Sequence, residues 1–208
     1  MAYAIVIAVL ASYLLGNLNG AVCMSTLLSH EDVREHGSGN AGLTNFARNY
    51  GGWNSLLVVL IDGGKAVIAT MLSGLLLKPY GLEAEGMMLG AVAVSLGHDF
   101  PALLGFRGGK GILSGFLCAV VMDWRVALLV VSLFALTYVL SGYVSLGSIM
   151  GAGSYAVGFV IWHHSQPWVM AGGIFIGVLA LFMHRSNISC LIHGTESKTN
   201  LFKGRKRK

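Results

Sequence analysis

An all-α polytopic membrane bundle of about seven helices is the fold class this sequence predicts, and three observations predict it. Of its 208 residues, 55% are hydrophobic and only 11% are charged. Mean hydropathy is +0.70, and apolar stretches recur along the whole chain between short polar segments. So few polar side chains cannot clothe a soluble globule of this size, which leaves the bilayer as the solvent.

The first stretch, Tyr3–Leu28, lacks the basic leading region of a signal peptide and is followed by further hydrophobic segments, so it reads as a retained first span. Asn54–Leu77, Glu85–Leu96, Ile112–Met122, Val126–Leu140, Ser148–Ile161 and Trp168–Met183 follow in order. A span needs ~20 apolar residues, and several of these are shorter. Merging Ile112–Leu140 into one long or broken span and Ser148–Met183 into another gives an alternative of five spans. Both counts are odd, which puts the termini on opposite sides.

Arg34 and Arg48 follow the first span, Arg107 and Lys110 the third, and Arg185, Lys198 and the basic tail 199–208 the last. By the positive-inside rule these segments and the C-terminus face the cytoplasm, with the N-terminus outside. Lys78, Glu83, Asp123-Trp124-Arg125 and His163-His164 fall to the other face in the seven-span version. The 29 glycines suit helices that approach closely in lipid. With no tandem repeat and no linker, 1–208 reads as a single domain.

The formal charge of +5 does not indicate nucleic-acid binding, because five of the fourteen basic residues crowd into Lys203 to Lys208 and most aromatics lie inside apolar runs. That tail reads as an anchor against anionic lipid. Cys23, Cys118 and Cys190 have no metal or disulfide spacing.

Three polar segments carry the chemistry. His36-Gly-Ser-Gly-Asn-Ala-Gly-Leu-Thr-Asn-Phe-Ala-Arg48 offers Ser38, Asn40, Thr44 and Asn45 with three glycines and an arginine. It fits either an oxyanion cradle closed by a guanidinium or a surface turn, since the same residues serve both. Gly97-His-Asp-Phe-Pro-Ala-Leu-Leu-Gly-Phe-Arg-Gly-Gly-Lys-Gly111 ends in glycines around Lys110 just before a helix, where bare N–H groups and the helix dipole meet an anion. It is not a nucleotide-binding P-loop, which needs Ser or Thr where Gly111 stands and Gly where Leu104 stands. His98 in this segment is either a structural helix-end residue or a donor or base. His184-Arg-Ser-Asn-Ile-Ser-Cys-Leu-Ile-His-Gly-Thr-Glu-Ser-Lys198 follows the last span, with His184 and Asn187 three apart on one helical face.

Asp62 and Lys65 are the only charges well inside a span. They fit a mutually neutralising structural pair, or a lysine that reaches a bound phosphate. The sequence has no acyl-serine elbow, no zinc motif and no H-x-x-x-x-D acyltransferase motif.

Taken together, Ser38-Gly-Asn-Ala-Gly-Leu-Thr-Asn-Phe-Ala-Arg48, Gly97-His-Asp-Phe-Pro with Phe106-Arg-Gly-Gly-Lys-Gly111, and Asn187-Ile with Gly194-Thr-Glu196 resemble the three motifs of the bacterial acyl-phosphate:glycerol-3-phosphate acyltransferases. The resemblance runs the length of the chain. It implies a seven-helix, multi-pass protein of the bacterial inner membrane. Its activity would be acyl transfer from acyl phosphate to the 1-hydroxyl of sn-glycerol 3-phosphate, giving lysophosphatidic acid and phosphate.

Carried over by motif, Ser38, Arg48, Lys110, His184 and Asn187 become the candidate catalytic residues, holding glycerol 3-phosphate. Asn40, Gly42, Thr44, Asn45, Gly108, Gly109 and Gly111 become candidates for the donor phosphate, with His98, Lys65 and Glu196 as further substrate-binding candidates. Partners are then acyl phosphate, glycerol 3-phosphate and membrane lipids, with a soluble acyl-phosphate synthase as a candidate. No cofactor, metal or nucleic acid is expected.

Gly16-Asn-Leu-Asn19 stands where the family usually has Gly-Ser-Ile-Pro. Ala41, Ala66 and Cys190 replace a frequent Pro, Gly and basic residue. The alternative function is a small transporter of a phosphorylated solute, suggested by Asp62, Lys65, Asn17 and Asn19 within helices.

Overall fold

The computed structural model describes residues 1–198; the basic tail expected to contact lipid, 199–208, lies outside the described residues. Ten α-helices follow in order: α1 (Ala2–Asn17), α2 (Gly20–Ser29), α3 (Leu43–Tyr50), α4 (Gly52–Leu77), α5 (Glu83–Asp99), α6 (Ile112–Met122), α7 (Trp124–Ser141), α8 (Val144–His163), α9 (Pro167–Met183) and α10 (Arg185–Ile192). No strand occurs among the described residues.

Every apolar stretch among the described residues is helical, the first with a break between Asn17 and Gly20. Five helical stretches are long and apolar enough to cross a membrane, with α1 and α2 together forming the first; α9 and α10, bent by 53°, make a sixth if counted as one span. The eleven residues of α6 rise only ~16 Å, less than the ~30 Å of hydrocarbon. Neither merged stretch of the five-span alternative is one continuous helix. Asp123 separates α6 from α7, and α8 and α9 are distinct helices that pack together across a three-residue turn.

Local chemistry sets the boundaries. Asp123 caps α7 by accepting the Arg125 N–H at 2.9 Å. Pro167 opens α9 at a position where its missing N–H costs nothing. Gly142, in the left-handed region at φ +76°, closes α7.

α4 lies against α5, and α1 lies against both. At the α1–α5 crossing, a Cβ on Gly97 would fall 2.2 Å from the Tyr13 carbonyl oxygen and one on Gly16 would fall 2.5 Å from that of Val94. Only glycine allows that approach. α7, α8 and α9 form a second layer, and α6 joins the two by packing on α4 and α7. The main core, including Ala66, Met88, Val94, Cys118, Val126, Tyr155, Phe159 and Ile176, lies where the layers meet.

The loops sort to two ends. Asp123, between α6 and α7, meets His163 at the end of α8 at 3.0 Å. At the other end Lys198 lies over the Tyr143 ring, and the segments after α2, α5 and α9 converge.

Candidate functional site

The first span breaks between Asn17 and Gly20. Leu18 is extended at φ −66°, ψ 107° between α1 and α2, which frees backbone groups deep in the protein. Two buried charges satisfy them. Lys65 Nζ donates to the carbonyl oxygens of Gly16, at 3.1 Å, and Leu18. Asp62 Oδ1 accepts the Gly20 N–H at 3.0 Å and the Lys65 ammonium at 2.7 Å. The side chains of Lys65 and Asp62 are only 2% and 3% exposed. They form the neutralising pair, and the ammonium is spent on the break and on His98.

Asn17 and Asn19, which suggested a transport path, also serve structure. Asn19 caps α2 by accepting the Val22 N–H and donates to the Ala41 carbonyl at 2.9 Å. Asn17 Oδ1 accepts the Leu103 N–H at 3.0 Å.

The segment between α2 and α3 is organised around Asn45, which is 2% exposed. Its amide NH₂ donates to the carbonyls of Val33, His36 and Asn40, and its oxygen accepts the Ser38 N–H at 2.9 Å. With Asn49 Nδ2 of α3 donating to the same oxygen at 3.3 Å, every hydrogen-bonding position of this side chain is used within the protein. Gly37 and Gly39, both at positive φ, allow the chain to wrap around it.

The glycines before α6 serve different ends. Gly108 N–H donates to the Asp99 carbonyl at 3.2 Å and Gly109 N–H to that of His98 at 3.0 Å, so both close the end of α5. Gly111, at φ +67°, caps α6.

These elements surround a cavity of about 610 Å³. Its polar end is lined by Ser38, Asn40, Gly42, Thr44, Asn45, Arg48, His98, Lys110, Gly111, His184, Asn187 and Glu196, together with Asp62. The structure thus brings together the sequence candidates except Lys65, Gly108 and Gly109, which lie behind the wall. The first turns of α3 and α6 both contribute to this lining, through Leu43 and Thr44 and through Ile112 and Leu113. Two helix N-termini beside Arg48 and Lys110 make a positive end suited to phosphate.

Side-chain contacts fix what this wall presents. Lys110 Nζ donates to Asn187 Oδ1, and Asn187 Nδ2 donates to Glu196 Oε1 at 3.0 Å, which joins the second motif to the third. Burial holds the Lys110 ammonium below the usual lysine range; Arg185 and Arg48 push it the same way, against the opposing pull of Glu196. His184 is 4% exposed and its Nδ1 lies 2.8 Å from the Ala180 carbonyl. A carbonyl only accepts, so Nδ1 carries a proton, and in the neutral ring Nε2 keeps a lone pair. His98 is the converse. Its Nδ1 lies 2.8 Å from Lys65 Nζ, an ammonium only donates, and so its proton sits on Nε2.

Sequence reasoning missed the rest of the cavity. Beyond the polar end it continues as a mainly apolar arm lined by Phe116 of α6, Val130, Val131 and Phe134 of α7, Val144, Ser145, Ser148, Gly151, Ala152 and Tyr155 of α8, and Ile176, Gly177 and Ala180 of α9. In the sequence these residues read as ordinary span. No cluster able to hold a metal ion occurs among the described residues.

A family model for glycerol-3-phosphate acyltransferase matches residues 6–194. A glycerol-3-phosphate acyltransferase of Finegoldia magna is 36% identical over 186 residues, 89% of this chain and 91% of that protein. One from Thermoanaerobacter sp. is 36% identical over 197 residues, covering 94% and 96%. The crystal structure of PlsY (YgiH), an integral membrane glycerol 3-phosphate acyltransferase in its glycerol 3-phosphate form, superposes with a TM-score of 0.86 at 30% identity, covering 96% of this chain and 99% of that one. Its lysophosphatidic acid form gives a TM-score of 0.82 at 28% identity, covering 94% and 95%.

Proposed function

This chain belongs to the glycerol-3-phosphate acyltransferase family, and from that premise we propose that it transfers a fatty acyl group from acyl phosphate to the 1-hydroxyl of sn-glycerol 3-phosphate. The products are lysophosphatidic acid and inorganic phosphate. As a multi-pass protein of a bacterial membrane it would work with the polar end of its cavity toward the cytoplasm and its N-terminus outside, as the distribution of Lys and Arg favours. Acyl phosphate from a soluble synthase would then arrive on the side where the site opens.

The observation that carries this reading is the cavity's division into one positive, polar end and one apolar arm. Two phosphate groups and a hydrocarbon chain need that combination. Arg48, Lys110 and Ser38 hold the phosphate of glycerol 3-phosphate, and Asn187 orients Lys110. The first turn of α3, from Gly42 to Thr44, together with Asn40 and Gly111, receives the donor's phosphate. Asn45 supports that turn from behind.

The reaction needs little beyond placement, because the acyl phosphate is already activated. The 1-hydroxyl oxygen attacks the acyl carbonyl carbon; the new ester C–O bond forms and the bond from that carbon to the phosphate oxygen breaks. The hydroxyl proton passes to the departing phosphate. His184, through its Nε2 lone pair, accepts a hydrogen bond from a glycerol hydroxyl and so aims it. His98, holding its proton on Nε2, is a donor suited to developing negative charge, not a base.

The test is purified protein offered labelled glycerol 3-phosphate with either an acyl phosphate or an acyl thioester of the same chain. The expected result is labelled lysophosphatidate from the acyl phosphate alone. Product from the thioester alone would overturn the choice of donor.

A further inference from the structure

We propose that the apolar arm is a gauge for the acyl chain, with Tyr155 as its floor, so that donor preference in this enzyme stops rising at about a dozen carbons. The inference rests on the acyl-phosphate reading above and concerns what that site selects.

The floor is built from the main core. Tyr155, Val130 and Ile176 line the deep end of the cavity and belong to the core cluster, each under one tenth exposed. Directly beyond them the protein is solid. Phe159, one turn further along α8, is fully buried and occupies the space a side chain on Gly173 would need: a Cβ there would fall 2.3 Å from its ring. Cys118 and Ala119 of α6 are fully buried in the same layer. A chain that reaches Tyr155 therefore has nowhere deeper to go.

The length of the arm follows from α8. Ser145 lies at the polar end of the arm and Tyr155 at its floor, ten residues apart on one helix, a rise of ~15 Å. An extended chain of ~1.5 Å carbon–carbon bonds advances somewhat less than that per carbon, so the arm accepts on the order of a dozen carbons. Val131 lines the arm yet is 41% exposed on the lipid-facing side of α7. The arm thus has a lateral mouth, and the end of a longer chain turns out through it into the bilayer, where it gains nothing further.

Two positions change the depth in opposite senses. Removing the Tyr155 ring opens the floor. At Gly151 a Cβ would sit 3.5 Å from Val130 and 3.8 Å from Phe134, in ordinary contact, so a larger side chain extends into the arm and raises the floor.

The test is kcat/KM across saturated acyl phosphates from eight to eighteen carbons, with binding of lysophosphatidates of the same lengths measured in parallel. In the unaltered protein, kcat/KM should rise roughly two- to fourfold per added methylene and level off near twelve carbons. Tyr155→Ala should move the break to longer chains by about three carbons, and Gly151→Leu should move it to shorter ones. A break that stays in place in both variants, or a profile without a break, overturns the gauge. If acyl phosphates give no product while lysophosphatidate binding keeps a break that both variants shift, the donor reading fails and the gauge stands.

Discussion

Lys65 Nζ lies 2.8 Å from His98 Nδ1 and 2.7 Å from Asp62 Oδ1. One buried ammonium thus repairs the break in the first span, balances a carboxylate, and sets the imidazole tautomer that faces the cavity. Lys65→Met would strand Asp62 and two backbone carbonyls. A loss of about 3–5 kcal/mol is expected, read as a large drop in thermal midpoint in detergent. The double variant Asp62→Leu with Lys65→Met should cost less than the sum of the single changes, because it leaves no buried charge alone.

Lys110 gives a pH signature. Its folded-state pKa is depressed by burial, so its charge is lost as pH rises through a value below the usual lysine range. KM for glycerol 3-phosphate should therefore climb on the alkaline side before a solvent-exposed lysine would titrate. Lys110→Arg, which keeps its charge, should move that limb upward. A limb at the same pH in both proteins would show that another group titrates.

The gathering of three separated motifs on one cavity was legible in the sequence because each motif carries its own turn-forming and anion-binding residues. The roles within them were less so. Asn45 reads as a ligand by type, but its amide hydrogens are taken by the loop and its oxygen by the loop and by Asn49. Gly108 and Gly109 read as a phosphate cradle, yet their N–H groups close α5. Lys65 offered a choice between ion pair and phosphate ligand, and only the broken helix opposite it decides, since a break between α1 and α2 has no strong local signature. The apolar arm leaves no mark in hydropathy, because residues that line a hydrocarbon pocket and residues that face lipid are of one kind.

The glycine pair makes a steric prediction. A Cβ on Gly109 would fall 2.2 Å from His98 Nε2, and one on Gly108 would fall 2.0 Å from the His98 carbonyl oxygen. Gly109→Ala should displace the imidazole and lower kcat by about tenfold or more. Gly108→Ala, which meets backbone instead, should mainly lower stability. Kinetics and thermal unfolding of the two variants separate the effects.

At the far end of the bundle Asp123 caps α7 and accepts from Arg125 at 2.7 Å and His163 at 3.0 Å. The Arg125 guanidinium beside it is the main cause that pulls its carboxyl down to about 2. A depressed carboxylate stabilises the fold above the usual carboxylate range, and that contribution is lost as pH falls toward about 2. Asp123→Ala should cost about 1 kcal/mol through the lost cap and flatten the acid dependence of the thermal midpoint, with little change in KM for glycerol 3-phosphate.

The most direct measurement is a paired assay of the unaltered protein and Lys110→Ala with acyl phosphate and labelled glycerol 3-phosphate, counting lysophosphatidate and inorganic phosphate together. The unaltered protein should release the two in equal amounts, and removing the Lys110 ammonium from the phosphate end of the cavity should lower kcat/KM by roughly tenfold to a hundredfold. Unchanged turnover in Lys110→Ala, or phosphate released without lysophosphatidate, would contradict the assignment of this cavity as the acyl-transfer site.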